Sequence, residues 1–146
     1  IMFNHESEFR PNDFLIMKII SETINIKNSK SSKLTLGSLD YIRDWTYAGE
    51  IVQAIYLITN YGKSYDYVLG SGVGTSIKEI VNYVFEYFNL DWKKYIEIDK
   101  KLLRDNDPIK VVSNPGKIKS ELGWQNKIDI YDLLDKCIKS KLNQMA

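Results

Sequence analysis

Three clusters of polar side chains in this sequence are of types that bind anions. Asn4, His5, Glu6, Ser7 and Arg10 crowd together behind the apolar tripeptide Ile1–Phe3. Arg43-Asp44-Trp45 joins a planar cation, a carboxylate and an aromatic ring at what reads as the mouth of a helix. Arg104, Asp105, Asn106 and Asp107 form the third cluster. Arginine presents a rigid fork of N–H donors that matches phosphate oxygens, and two arginines from separate loops can clamp a diphosphate. The plainer alternative for each cluster is a loop cap or a surface ion pair worth about 0–1 kcal/mol. Residue types and spacing leave both open.

Other chemistry is easier to exclude. Gly70, Gly72 and Gly74 follow an apolar run and precede a helix, the setting of a dinucleotide-binding turn. That fingerprint, G-x-G-x-x-G, needs glycine at position 75, where Thr75 stands, and no G-K-[ST] pair exists for a phosphate loop of the Walker type. The stretch therefore reads as a strand-to-helix turn whose glycines permit positive φ and close packing. A short-chain reductase or dehydratase needs a Tyr-x-x-x-Lys pair, in which lysine readies tyrosine as a general base. None of the ten tyrosines has lysine four residues on, and no G-x-S-x-G elbow occurs. The single histidine, His5, excludes a multi-histidine zinc cage, and no complete catalytic constellation can be assembled.

Composition sets the remaining bounds. The chain has 146 residues, 44% hydrophobic and 27% charged, which suits one globular domain with its own core. Twenty basic against 19 acidic residues give a formal charge of +1, so no field of one sign exists to draw in nucleic acid or an anionic membrane. A lone cysteine, Cys137, has no internal disulfide partner, and a reducing cytoplasm is the compartment expected. Apolar runs fall short of the roughly 20 residues that span a bilayer, and no basic-then-apolar leader is visible. The opening Ile1 suggests a piece of a longer chain.

The elements that must position the clusters follow from periodicity. Ile16, Ile19, Ile20, Thr23 and Ile24 form one helical stripe, and Ile51, Ala54, Ile55 and Ile58 give another over about 47–60. Ile77, Ile80, Val81, Val84, Phe85 and Phe88 form the clearest stripe, opened by a Ser76/Glu79 capping box. A short helix is predicted from Asn114-Pro115 to Gly123, and a last one carries Ile130, Leu133, Leu134, Cys137 and Ile138 inward. Strands are expected near Leu34–Leu36, Tyr65–Leu69 and Tyr95–Ile98, with an apolar pair at Val111–Val112. The class is α/β, with a small sheet, several helices and no full doubly wound sheet.

The same residues resemble a known family. Asn4-His5-Glu6-Ser7 with Arg10, Phe14 and Lys18-Ile19 is similar to the N-H-E-S-P-x-R-G-x-x-F-x-x-x-K-I segment of GDP-mannose 4,6-dehydratases. Leu36-Gly37-Ser38-Leu39-Asp40 with Arg43-Asp44-Trp45 resembles their L-G-N-L-D-x-x-R-D-W, and Arg104, Asp107, Asn114-Pro115, Lys117 and Leu122-Gly123-Trp124 follow their order. The resemblance covers essentially the whole chain. It implies the small C-terminal domain of an extended short-chain dehydrogenase/reductase, one domain over 1–146, with the NADP-binding Rossmann domain missing. The intact reaction it implies is oxidation at C4 of a GDP-hexose, loss of water across C5–C6, and return of hydride to C6. His5 and Arg10 match positions touching NADP; Asn4, Lys18, Arg43, Arg104 and Asp107 match positions on the nucleotide sugar. No cofactor is expected on the isolated chain. Glu8, Phe9 and Pro11 depart from the family pattern beside these loops, so the sugar need not be mannose. A face that packs against the absent half would favour self-association. A sister epimerase or reductase is the nearest enzymatic rival. A non-catalytic binding or assembly module is the reading from another class.

Overall fold

The polar stretch Ile42–Tyr47 is the strand around which this chain is organised. The computed structural model describes residues 1–62 and 65–145. In chain order the elements are β1 (Asn4–Glu6), α1 (Leu15–Lys27), β2 (Leu34–Leu36), β3 (Ile42–Tyr47), α2 (Ala48–Asn60), β4 (Gly74–Ser76), α3 (Ile77–Tyr87), β5 (Ile96–Ile98), β6 (Lys110–Val111), α4 (Gly116–Leu122) and α5 (Ile130–Met145). Strand β3 pairs in parallel with β1 through its last three residues. Its first residues pair antiparallel with β4 and parallel with β6. A second, two-stranded parallel sheet joins β2 to β5. No doubly wound sheet occurs among the described residues, as the sequence implied.

Helices α1, α3 and α5 sit where their stripes place them, whereas Ile55 of the α2 stripe is exposed. Ile16, Ile19, Ile20 and Ile24 of α1, Ile80, Val81, Val84 and Phe85 of α3, and Leu133, Leu134, Cys137 and Ile138 of α5 share one core with Leu34, Leu36 and Trp45. Each such buried aliphatic or aromatic side chain contributes about 1.5–3 kcal/mol. Thr23, also on the core face, is satisfied by donating Oγ1–H to Ile19 O at 2.7 Å. A smaller core around α2 and α4 holds Ile51, Ala54, Tyr67, Leu69, Ile118 and Trp124. The capping box forms: Glu79 N donates to Ser76 Oγ (3.1 Å) and Ser76 N to Glu79 Oε2 (2.8 Å). Gly123, at φ +67°, ends α4.

Several strand assignments differ from expectation. Arg43-Asp44-Trp45 lies inside β3 rather than at a helix mouth, because three other strands pair with this segment. A strand not among those expected, β1, forms at Asn4–Glu6 within the first polar cluster. Tyr65–Leu69 forms no strand; Leu69 makes a single parallel bridge to Met2. Helix α4 begins at Gly116, one residue beyond the predicted proline, with Asn114 Oδ1 accepting from Gly116 N.

The buried carboxylate of Asp44 joins β3 to two loops. It is 1% exposed and accepts from Ser71 N (2.8 Å), Ser71 Oγ (2.5 Å), Gly72 N (2.9 Å), Ser113 N (3.1 Å) and Ser113 Oγ. Burial alone would raise its pKa. The hydrogen bonds from Ser113 and Ser71 and the amides of Ser71 and Gly72 outweigh burial and hold it below the usual carboxylate range. The glycines serve this junction: a Cβ at Gly70 would collide with the Ser113 hydroxyl, and Gly72 has φ +76°.

Two predictions follow from that junction. Asp44→Asn is expected to destabilise the chain by about 2–4 kcal/mol in urea denaturation at pH 7, since it strands donors in a buried site. A depressed native pKa means the stabilisation is full above the unfolded value of about 3.9 and is lost as pH falls through the lower native value. The variant should therefore lose less stability than the parent between pH 4 and pH 2; equal acid sensitivity would contradict this account. Gly70→Ala should cost about 1–3 kcal/mol in the same assay through overpacking against Ser113.

Candidate functional site

The C-terminal end of β1, the exposed flank of α1, the start of β3 and the strap Asp99–Ile109 surround one cavity of about 780 Å³. That volume lies within the range of small-molecule sites. All seven residues singled out from the sequence line it: Asn4, His5, Arg10, Lys18, Arg43, Arg104 and Asp107. They come from positions up to 103 residues apart, so the convergence is a product of the tertiary fold.

Each is held differently. In β1 the alternation of the strand turns Asn4 and Glu6 to one side and His5 to the other. His5 Nδ1 donates to Phe3 O (3.0 Å), which leaves Nε2 as the ring's other polar atom. Arg10 donates from Nε to Glu6 Oε1 (3.3 Å) and from Nη2 to His5 O (2.9 Å), and its guanidinium lies 4.3 Å from the Phe14 ring centroid. Lys18 stands on the α1 face opposite the core stripe, and that face turns toward the cavity; Nζ donates to Thr35 O at 3.0 Å.

Arg43 is the most constrained. Nη1 donates to Ile42 O (2.9 Å) and Ile109 O (3.1 Å), Nη2 donates to Asp107 Oδ1 (2.7 Å), and the Tyr41 ring lies 5.0 Å away. Arg104 is exposed, and its guanidinium has no hydrogen-bond or ion-pair partner among the described residues. The strap that carries Arg104 and Asp107 is seated at Gly37, where a Cβ would stand 3.2 Å from Leu103 Cδ2 and 3.3 Å from Leu102 C. Its start is fixed by Asp99 N donating to Leu36 O (2.9 Å).

The cavity also contains residues that the sequence did not single out individually. Glu6 is 4% exposed; burial pushes its pKa up, against the opposing charge and hydrogen bond of Arg10. One of its oxygens, Oε2, is buried without a hydrogen-bond partner among the described residues, as is Nε1 of Trp45. Glu6 stood within the N-H-E-S cluster, but only its pairing with Arg10 in the fold assigns it a role. Tyr41 and Phe14 place aromatic faces under the two arginines. Tyr41 lies between two motifs and carried no signal of its own.

A smaller cavity of about 180 Å³ adjoins the first, lined by Ser7, Phe9, Pro11 and Ala48 with His5 and Arg10. His5 and Arg10 therefore stand in the partition between the two. Among the described residues no group of three or more histidine, cysteine or acidic side chains could hold a metal. Cys137, in the core, has its thiol pushed up to about 12 by burial and by Glu6 and Glu8, so it is neither a nucleophile nor a ligand at neutral pH. Among the described residues no helix is long and apolar enough to cross a membrane.

Known proteins are similar to this chain in sequence and in fold. GDP-mannose 4,6 dehydratase 1 of Arabidopsis thaliana is 34% identical over 142 residues, covering 97% of this chain and 39% of its own length. The Sinorhizobium fredii GDP-mannose 4,6-dehydratase is 28% identical over 162 residues, again across 46% of its own length. Among solved structures, RMD from Pseudomonas aeruginosa complexed with NADPH superposes with a TM-score of 0.86 at 19% identity, over 98% of this chain and 47% of that one. The dTDP-glucose 4,6-dehydratase of Bacillus anthracis, in complex with NAD, gives 0.82 at 19% identity, over 97% and 43%. The fold is thus that of part of an extended short-chain dehydrogenase/reductase, and the chain spans about two-fifths of the Arabidopsis relative's length. With the GDP-mannose 4,6 dehydratase family model matching residues 1–137, the chain belongs to that family.

Proposed function

We propose that this chain is the nucleotide-sugar-binding part of a GDP-sugar 4,6-dehydratase, and that the cavity of about 780 Å³ receives GDP-mannose or a related GDP-hexose or GDP-heptose. The observation that carries the reading is the convergence of Asn4, Lys18, Arg43, Arg104 and Asp107 on one cavity, with His5 and Arg10 at its edge. Arg104 is the cation free to take a phosphate oxygen, Lys18 adds a point charge, and the Asn4 carboxamide can donate or accept along the sugar. Arg43 contributes from a fixed position, with Asp107 balancing its charge.

The chain's part in the reaction is positioning. No Tyr-x-x-x-Lys pair exists in its sequence, so proton transfer at the hexose is assigned to groups outside it. The family's dinucleotide fits at the partition between the cavities: His5 keeps Nε2 for it, and Arg10, 30% exposed, keeps Nη1. When bound, NADP supplies the hydride acceptor and donor of the intact enzyme. A cytoplasmic setting and a role in building cell-surface polysaccharide complete the proposal, and a GDP-sugar is its ligand.

Calorimetric titration of the 146-residue chain with GDP-mannose, GDP, UDP-glucose and dTDP-glucose tests it. The expected result is preference for the GDP compounds with a Kd weaker than about 1 μM, since His5 and Arg10 supply only one side of the dinucleotide site. Arg104→Ala is expected to weaken GDP-mannose binding about ten- to hundredfold, the loss of a charged hydrogen bond. No nucleotide binding by the parent chain, or equal binding of all four compounds, would contradict the reading.

A further inference from the structure

Two arginines line the cavity's strap side, and they are in opposite states. Arg104 is exposed and without a side-chain partner among the described residues. Arg43, with a side chain only 13% exposed, already has an anion: Asp107 Oδ1 accepts from its Nη2 at 2.7 Å. A cation so far removed from water needs a partner, and Asp107 supplies one from within the chain.

The Asp107 end of that pair is the one able to leave. Its side chain is 31% exposed, so water can receive the carboxylate at low cost. Among the described residues its amide is held only by a long bond to Arg104 O (3.4 Å), and Asn106 before it has φ +60°, a left-handed conformation uncommon outside glycine. Arg43, in contrast, is fixed by the carbonyls of Ile42 and Ile109 and by the Tyr41 ring. A diphosphate in the cavity would meet the carboxylate at a shared guanidinium, where the two anions repel each other and compete for one positive charge.

We infer that Asp107 is an internal counter-anion that a phosphate-bearing ligand displaces from Arg43, so that Asp107 weakens anion binding rather than adding to it. The inference rests on reading the cavity as a diphosphate site, and it predicts the opposite sign from a carboxylate that holds a ribose hydroxyl. Displacement frees the strap at Asp107 while Arg104, three residues earlier, is drawn toward the same ligand. Binding and strap position are thereby coupled through one ion pair.

Inorganic pyrophosphate isolates this effect from nucleoside and sugar recognition. Asp107→Asn and Asp107→Ala in the full chain, titrated calorimetrically at low ionic strength, should each bind pyrophosphate about three- to tenfold tighter than the parent. Thermal unfolding of each variant checks that it is folded, and two substitutions keep one poorly folded variant from deciding the outcome. Unchanged or weaker binding in the folded variants would overturn the inference, and so would an absence of pyrophosphate binding in every form. Failure of GDP-sugar preference with tighter pyrophosphate binding retained would sink the functional reading alone.

Discussion

The Asp44 carboxylate is the interaction on which the rest of this molecule depends. It lies in the middle of β3 and accepts from residues 27 and 69 positions further along the chain, which fixes the Ser71–Gly72 turn and the Ser113 loop against the strand. Those two loops lead into β4 and α3 on one side and α4 on the other. The neighbours of Asp44 in β3 are Arg43 and Trp45, both in the cavity wall. A buried anion surrounded by donors is costly to misplace, so the strand that carries the cavity's fixed cation has one well-defined position. Rigidity of this kind is what a positioning site needs.

The cavity itself combines fixed and free charges. Arg43 and Arg10 are tied to backbone carbonyls and carboxylates and lie over aromatic rings. Arg104 sits on a strap anchored at Gly37 and at Arg43 but open between. With a net charge of +1 on the whole chain, the attraction proposed for a diphosphate would come from this local arrangement. The same cations are balanced by Glu6 and Asp107 from inside the chain.

Much of this was legible in the sequence, for identifiable reasons. Helices α1, α3 and α5 announce themselves because 3.6-residue periodicity is local, and the Ser76/Glu79 box and Gly123 mark ends through contacts within a few residues. Strand β3 was not legible: Arg43, Asp44 and Thr46 interrupt any apolar pattern, and the segment is extended because β1, β4 and β6 pair with it. Conversely Tyr65–Leu69 has strand composition, yet among the described residues it finds only the Met2 bridge. Propensity gives way to pairing in both cases. Six of the seven site residues fall in the three polar clusters, and the family resemblance added Lys18 and the expected roles; neither signal gives a residue's state. That Arg43 is already paired, or that Glu6 is buried with one unanswered oxygen, depends on neighbours distant in the chain.

The central claim is that the cavity bounded by β1, α1, β3 and the Asp99–Ile109 strap is where a GDP-sugar binds. Amide chemical-shift mapping of the isotope-labelled chain during a GDP-mannose titration tests it most directly. The account predicts that perturbed amides cluster at residues 4–6, 10–18, 36–45 and 102–109, with α3 beyond its first turn and the outer face of α5 unmoved. Perturbations centred instead on the groove between α3 and α5, around Asn82, Tyr83 and Tyr131, or no perturbation at saturating ligand, would contradict it.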